Sequence, residues 1–311
     1  MASETTCALL RSVDMHPSTR RQFIGGAFAT GAGLLLRPTF ALAKLMSQRP
    51  LWTARKNGKL VYIVGETWPQ PNDWRDPAVE TLLGKCGRLW TETNQIYRRP
   101  TKELVEQYGA TSDASLLQQL PAAQMARLQQ AADACGVSLK ELAGLRPWVI
   151  GASLEDAFYQ TAGLKGKSAR EVLMAQADAG GIPVSSEFAA KDDVFVYMGG
   201  LSPAADAQFL YYELDGILLG RAGSQQISTE WLAGHMDPAA AFLEHMRRAY
   251  PDLYAKLTLD RNRAWVPRFD AMIVDEKPTM VVIGMFHLVG PESVFRQLRH
   301  AGYDVTPDIA G

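Results

Sequence analysis

Cysteine is scarce in this chain: Cys7, Cys86 and Cys135 are all that 311 residues contain. That excludes a small scaffold stapled by several disulfides. One bridge between Cys86 and Cys135 is open, but nothing demands it. Basic charge is not in excess, with 32 Lys and Arg against 33 Asp and Glu. A nucleic-acid partner, which selects a basic surface, is therefore not expected. Beyond residue 43 there is no run of about 18 consecutive apolar residues, so no stable membrane span is expected there. The His-Glu-x-x-His, Gly-x-Ser-x-Gly and phosphate-loop patterns are absent. Internal repeats, low-complexity runs and an evident linker are absent too.

The first 43 residues read as a cleavable export leader. Thr19-Arg20-Arg21-Gln22-Phe23-Ile24 is a hydroxyl residue, two arginines, one free position and two apolar residues, the twin-arginine pattern. A weakly apolar stretch follows from Ile24 to Leu36, too short and too rich in glycine to span a bilayer. Ala41-Leu42-Ala43 then offers the small residues a signal peptidase reads. The competing reading is a buried N-terminal helix or an anchor. Met15 is an alternative start that leaves a shorter, basic leader. The expected organisation is a leader over 1–43 and one domain over 44–311, long enough for one large core. Without Arg11, Arg20, Arg21, Arg37, Glu4 and Asp14 the balance becomes 28 basic against 31 acidic, net −3. The expected location is the periplasm, with the twin-arginine translocase as a transient partner.

Strand-like runs are few and far apart. Leu51–Arg55 and Lys59–Val64 flank Asn57-Gly58, a strong hairpin signal. Arg88–Thr93, Ile182–Phe188, Thr279–Gly284 and Gly302–Val305 are the other candidates. The rest reads mainly as helix: Ala122–Ala134, Ala204–Leu219, Ala239–Tyr250, Leu253–Phe269 with a late break at Pro267, and Ser293–Ala301. The pattern is α/β, a small mixed central sheet carrying a large helical insertion over roughly residues 95–180 and 190–278.

Several apolar strands run into polar residues. Val61–Val64 leads to Gly65-Glu66-Thr67-Trp68, and Leu89-Trp90-Thr91 leads to Glu92. Pro183–Ser186 leads to Glu187, and Met280–Ile283 leads to Gly284-Met285-Phe286-His287. Ligands in α/β sheets bind beyond the carboxyl ends of strands. Three carboxylates and one histidine can therefore meet at one edge, or these are ordinary strand exits. In both Gly-x-x-polar segments, glycine is expected to let the backbone turn tightly as it leaves the sheet.

These segments, taken with three others, resemble the TraB/GumN family. Leu51-Trp52 with Gly58–Gly65 is similar to its opening hairpin. Leu145-Arg146-Pro147-Trp148 is similar to its Pro-Trp motif, and Gly181–Val184 leading to Glu187 to its glutamate strand. Asp260–Trp265 is similar to its Arg-Asn-x-x-Trp segment, and Val282–Gly290 to its final Gly-x-x-His-Leu-x-Gly motif. The resemblance covers nearly all of residues 44–311. It implies a mixed sheet with helices, related to erythromycin-esterase-type (EreA) and haem-binding ChaN-type proteins. It also implies a relation to the TIKI proteins, metal-dependent proteases that use two Gly-x-x-His motifs and acidic residues around a divalent ion. The GumN name comes from a polysaccharide gene cluster.

The chain departs from that pattern at its first histidine, where Trp68 stands. Tryptophan cannot ligate a metal, because its ring N–H only donates. Glu66 is two residues away and is the candidate replacement. A set of His287, Glu92 and Glu187, with Glu66, is rich in oxygen and suits manganese, cobalt or a similar divalent ion. The alternative is that the metal centre has been lost.

Two functions follow. One is a peptidase-like, metal-dependent hydrolase with Glu66 or Glu92 taking a proton from a metal-activated water. The other is a non-catalytic binding protein for a small molecule, a peptide or a glycan. In that reading Trp68 and Trp74, in the stiff Trp68–Trp74 loop, face the ligand. Arg261 reads either as a partner that keeps a carboxylate ionised or as a surface charge. Asn262 reads as structural or as a ligand contact beside it. His235 and His245 lie ten residues apart on expected helices, the wrong spacing for a local ligand pair. His300 reads as a charge at a helix C-terminus.

Overall fold

The computed structural model describes residues 50–111 and 116–307. The expected twin-arginine leader over residues 1–43 lies outside the described residues. Six strands form one sheet in the order β4-β3-β5-β2-β1-β6. They are β1 (Leu51–Lys56), β2 (Lys59–Glu66), β3 (Arg88–Thr93), β4 (Val184–Phe188), β5 (Thr279–Gly284) and β6 (Asp304–Pro307). β1 is antiparallel to both its neighbours, whereas β2 with β5, β5 with β3 and β3 with β4 are parallel. Asn57 and Gly58 turn the β1–β2 hairpin with φ of 52° and 78°, the left-handed pair that a two-residue hairpin requires.

The centre of the sheet is buried on both faces, which is why β5 and the middle of β2 are continuous apolar runs, whereas the edge strand β4 is half-buried. On one face Val61, Ile63, Trp90, Val281 and Ile283 pack under large aromatic residues, including Trp231, Trp265 and Phe269. On the other face Val64, Leu89, Met280 and Val282 meet Val79, Leu83, Leu173 and Ala177. The first cover comes from α7 (Gly220–Leu232), α8 (Asp237–Ala249), α9 (Arg261–Met272) and α10 (Val294–His300). The second comes from α1 (Pro77–Leu83) and α4 (Ala169–Ala179). Burying one such side chain fully contributes about 1.5–3 kcal/mol relative to leaving it exposed, so this two-faced core is the main source of stability.

The remaining helices form a separate layer. α2 (Ala122–Cys135), α3 (Pro147–Ala162) and α6 (Pro203–Leu218) share a core of Leu128, Ile150, Leu154, Leu210 and Leu214. α5 (Lys191–Gly199) follows β4 directly. The Arg146-Pro147-Trp148 segment docks α3 on α6, because Asp206 accepts from Arg146 Nε at 2.8 Å and from the Trp148 N–H at 2.7 Å.

Some expectations need correction. Pro267 does not break its helix, because α9 runs through it to Met272. Trp265, Phe269 and Met272 are buried on both sides of the proline, and their packing outweighs one missing N–H bond. The expected helix over Leu253–Phe269 is present as a continuous helical run, α-helical at Pro251–Tyr254, π-helical at Ala255–Asp260 and then α9. Cys86 and Cys135 are free and buried in different cores. Burial pushes their thiols up, to about 12 and about 11. Among the described residues no helix is long and apolar enough to cross a membrane.

Candidate functional site

Because β4, β3, β5 and β2 are parallel neighbours, their carboxyl ends share one edge. Glu187 and Glu92 are the penultimate residues of β4 and β3, and Glu66 ends β2. His287 sits in a short 3₁₀ turn after β5. The two glycines of the Gly-x-x-polar segments serve close approach rather than tight turning. Gly65 is still within β2, and a Cβ there would stand 2.4 Å from the Trp231 ring. Trp231 Nε1 donates to the Gly65 carbonyl at 3.0 Å. At Gly284 a Cβ would stand 3.2 Å from Glu92 Oε1, which accepts the Gly284 N–H at 2.6 Å.

Arg261 joins the edge together. It is the first residue of α9, where the preceding π-helical turn hands over to regular helix. Its Nη2 donates to Glu92 Oε2 at 2.7 Å and to Glu187 Oε2 at 2.6 Å, and its Nε reaches Glu187 Oε2 at 3.0 Å. Its Nη1 lies 3.3 Å from His287 Nε2. The guanidinium also lies over the Trp265 ring, 5.0 Å from its centroid. Arg261 thus pairs with both carboxylates and is not a surface charge.

Asn262, the next residue, is fully buried and fixes the histidine. Its Nδ2 donates to the Glu292 carbonyl at 2.8 Å, which leaves its Oδ1 to accept from His287 Nδ1 at 2.6 Å. The His287 proton therefore sits on Nδ1, and Nε2 presents a lone pair to Arg261 and, at 3.6 Å, to Glu92 Oε2.

Burial works against the Glu92 charge. The His287 ring, Arg261 and the Gly284 N–H together more than offset it and hold the carboxyl down at about 2. Burial likewise works against Arg261, yet Glu92 and Glu187 hold it above its ordinary range. For His287 burial dominates. Glu92 opposes it and Arg261 assists it, and the ring falls to about 4. At neutral pH the set is an anionic Glu92, a cationic Arg261 and a neutral imidazole.

Glu66 turns to a different cation. Its Oε1 accepts the Arg170 N–H at 3.2 Å, and its Oε2 lies 3.9 Å from Arg170 Nε. Lys191, half-buried at the start of α5, belongs to the same group. Burial first, then repulsion from Arg170, bring it down to about 8 against the pull of Glu171 and Glu66. Neither Arg170 nor Lys191 lies in a recognisable motif. The signal that finds them is positional: Lys191 opens the helix after β4, four residues beyond Glu187, on the edge where ligands bind.

The two tryptophans go to different places. Trp68 packs edge-on against Phe242 and Phe286, with ring centroids 5.2 Å and 5.3 Å apart. Trp74 instead lines a cleft of ≈ 350 Å³ with Gln70, Asn72, Asp73, Arg75 and Asp76. His235 and His245 pair separately, with Glu230 and Asp215. His300 sits in the last turn of α10.

A divalent ion does not fit the expected donor set as it is arranged here. Glu92, Glu187 and His287 do converge, but on the Arg261 guanidinium, which already uses both carboxylates and repels a second cation. Glu66 is committed to Arg170. Among the described residues no group of three or more His, Cys, Asp or Glu side chains is arranged to hold a metal.

The family model described as TraB/PrgY/gumN matches residues 50–307. None of the curated proteins matches the chain.

Proposed function

The chain belongs to the TraB/PrgY/gumN family, and on that premise we propose that it is a peptidase-like hydrolase of ester or amide bonds acting outside the cytoplasm. One observation carries this reading. His287 is held neutral, with its proton on Nδ1 and its Nε2 lone pair facing an anionic Glu92 and a cationic Arg261. In this arrangement Nε2 takes a proton from water as the water attacks a carbonyl carbon, and returns it to the departing alcohol or amine as the carbonyl re-forms and the scissile bond breaks. Glu92 then stabilises the imidazolium, and Asn262 keeps the ring in place. Arg261 supplies positive charge where the carbonyl oxygen becomes negative, the role preorganised donors play in acyl transfer. Arg170 and Lys191 add positive charge beside Glu66. The metal expected from the resemblance has no place in this scheme, because its donors are engaged.

The test is hydrolysis of a panel of activated esters and short peptides in the presence of EDTA. Activity in the chelator and its loss in His287→Ala, by about 10²–10⁴-fold as for a positioned general base, are expected. Hydrolysis that stops on chelation and returns with manganese would sink the metal-free scheme. Replacing Arg20 and Arg21 by lysine should retain the protein in the cytoplasmic fraction, and unchanged export would remove the periplasmic assignment.

The cleft beside Trp74 favours a second reading, a carbohydrate-binding protein. An indole beside amide, carboxylate and guanidinium groups matches a sugar's apolar face and hydroxyls. Trp68 takes no part in this cleft. Quenching of Trp74 fluorescence by oligosaccharides, lost in Trp74→Ala, is the expected result. A flat titration dismisses it.

A further inference from the structure

Away from the strand ends, the helical layer holds another pair of carboxyls. Glu155 lies in α3 and Glu213 in α6. Gly151, one turn before Glu155, lets the two helices approach closely: a Cβ there would stand 3.1 Å from Glu213 Cγ. Glu155 Oε1 accepts from the Tyr159 hydroxyl at 2.7 Å. Glu213 is only 7% exposed, and among the described residues its carboxyl has neither a hydrogen-bond donor nor a basic partner. It lines a cavity of ≈ 20 Å³ together with Glu155, Tyr159, Tyr212, Ser224 and Trp68. A space of that size accepts about one water-sized body.

Two ionised carboxyls at such a site are a charge of −2 that the protein itself leaves unbalanced. Burial, then mutual repulsion, push Glu213 well up, and burial raises Glu155 against the Tyr159 hydrogen bond. Neutrality is reached either by protons or by one doubly charged cation. The lining side chains that carry donors are carboxyl, phenol and hydroxyl, with no nitrogen or sulfur ligand among them. Such a set selects hard ions of the magnesium, manganese and calcium class over zinc. We propose that Glu155 and Glu213 form a binding site for one divalent cation of this class, taken up in exchange for protons.

The site is distinct from the Arg261 cluster and does not rest on the hydrolase reading. Trp68 connects the two: it lines the cavity and packs on Phe286, the neighbour of His287. The titratable groups around the pair are Asp156, Tyr159, Tyr212 and, through Tyr212, Asp215. The groups that act on the pair directly are acidic, and the cations Arg127 and His245 are engaged by Asp215, so none serves the pair as an internal counter-ion.

The experiment uses chelator-stripped protein titrated with magnesium, manganese or calcium chloride, followed by calorimetry, melting temperature and tryptophan fluorescence. One equivalent should bind, raise the melting temperature and change the emission. Affinity should rise about tenfold per pH unit for each proton displaced. Glu213→Gln and Glu155→Gln should each weaken binding at least about tenfold while His287→Ala leaves it intact. The proposal is overturned if no ion binds at pH 8 at about millimolar concentration. It is equally overturned if binding survives both glutamine variants or disappears in His287→Ala.

Discussion

Asn262 Oδ1 lies 2.6 Å from His287 Nδ1, while the same amide donates to the Glu292 carbonyl at 2.8 Å. The second bond decides the orientation of the first, so the amide can only accept from the ring. One buried residue therefore chooses the tautomer of another, and the Nε2 lone pair faces Arg261 Nη1 at 3.3 Å with Glu92 beside it. Replacing Asn262 with Asp puts a carboxylate against Nδ1, which favours imidazolium. The His287 pKa should rise from about 4, as read by NMR titration of its ring protons. Asn262→Ala leaves the buried His287 Nδ1–H unpaired, while the Glu292 carbonyl keeps Gln297 Nε2 at 2.9 Å, and should lower stability by about 1–3 kcal/mol. An unchanged titration in Asn262→Asp would mean that the Asn262 contact does not set the ring.

The depressed values at this edge make stability depend on pH with a definite sign. His287 falls from 6.5 to about 4 and Glu92 from 4.5 to about 2. Each group binds a proton more readily in the unfolded chain. Each therefore stabilises the fold fully above its unfolded value, and that contribution is lost as pH falls toward the folded value. Unfolding free energy should decline as pH drops from about 6.5 through 4 toward 2, by a few kcal/mol in total. The Glu155–Glu213 pair is raised instead and has the opposite sign, losing stability as pH rises above the unfolded value. In chelator, Glu213→Gln should therefore melt higher than the parent at pH 8, and Glu92→Gln lower. Urea titrations across pH test both, and equal shifts of the same sign would contradict the assignment.

Arg261 donates hydrogen bonds to both Glu92 and Glu187. Removing it strands two carboxylates at side-chain exposures of 17% and 10%. Arg261→Met should lower stability by about 3–5 kcal/mol, the usual result of breaking one side of a buried pair. The same change frees both carboxylates and His287 Nε2 to act as ligands. Manganese should then bind with a stoichiometry lost again in the Arg261→Met, His287→Ala double variant. If Arg261→Met gains no ion by elemental analysis, the guanidinium is not what excludes metal from this edge.

The central strands were legible because their residues are buried and read as short apolar runs between turn residues. Arg88–Thr93 and Thr279–Gly284 match to the residue. Glu92, Glu187 and His287 were legible as strand-end residues, and the parallel order of β4, β3 and β5 brings them together. What local pattern does not carry is partner choice across the chain. The Arg261 bridge spans sequence separations of 169 and 74 residues. Gly65 and Gly284 suggest a turn locally, but their role is set by Trp231 and Glu92 arriving from elsewhere. Arg170, Lys191, Glu155 and Glu213 sit on helices with ordinary periodicity, and only the packing of those helices makes them unusual. Pro267 misleads because local propensity yields there to the buried faces of Trp265 and Phe269.

Trp68 stands where the family resemblance implies a histidine, and its surroundings show what a reversion would do. The indole packs edge-on to Phe242 and Phe286 and lines the cavity of Glu155 and Glu213. Histidine is smaller and polar, so Trp68→His leaves a void among these rings and should lower stability by about 2–4 kcal/mol. The new imidazole brings a nitrogen to the β2 end of the edge, but Arg261 still holds Glu92 and Glu187. Trp68→His alone should therefore gain no metal that depends on His287, whereas Trp68→His with Arg261→Met should bind more tightly than Arg261→Met alone. Elemental analysis and manganese titration of the three proteins, each with and without His287→Ala, separate these outcomes. Stoichiometric, His287-dependent metal in Trp68→His alone would show that the tryptophan, and not the arginine, keeps ions out of this edge.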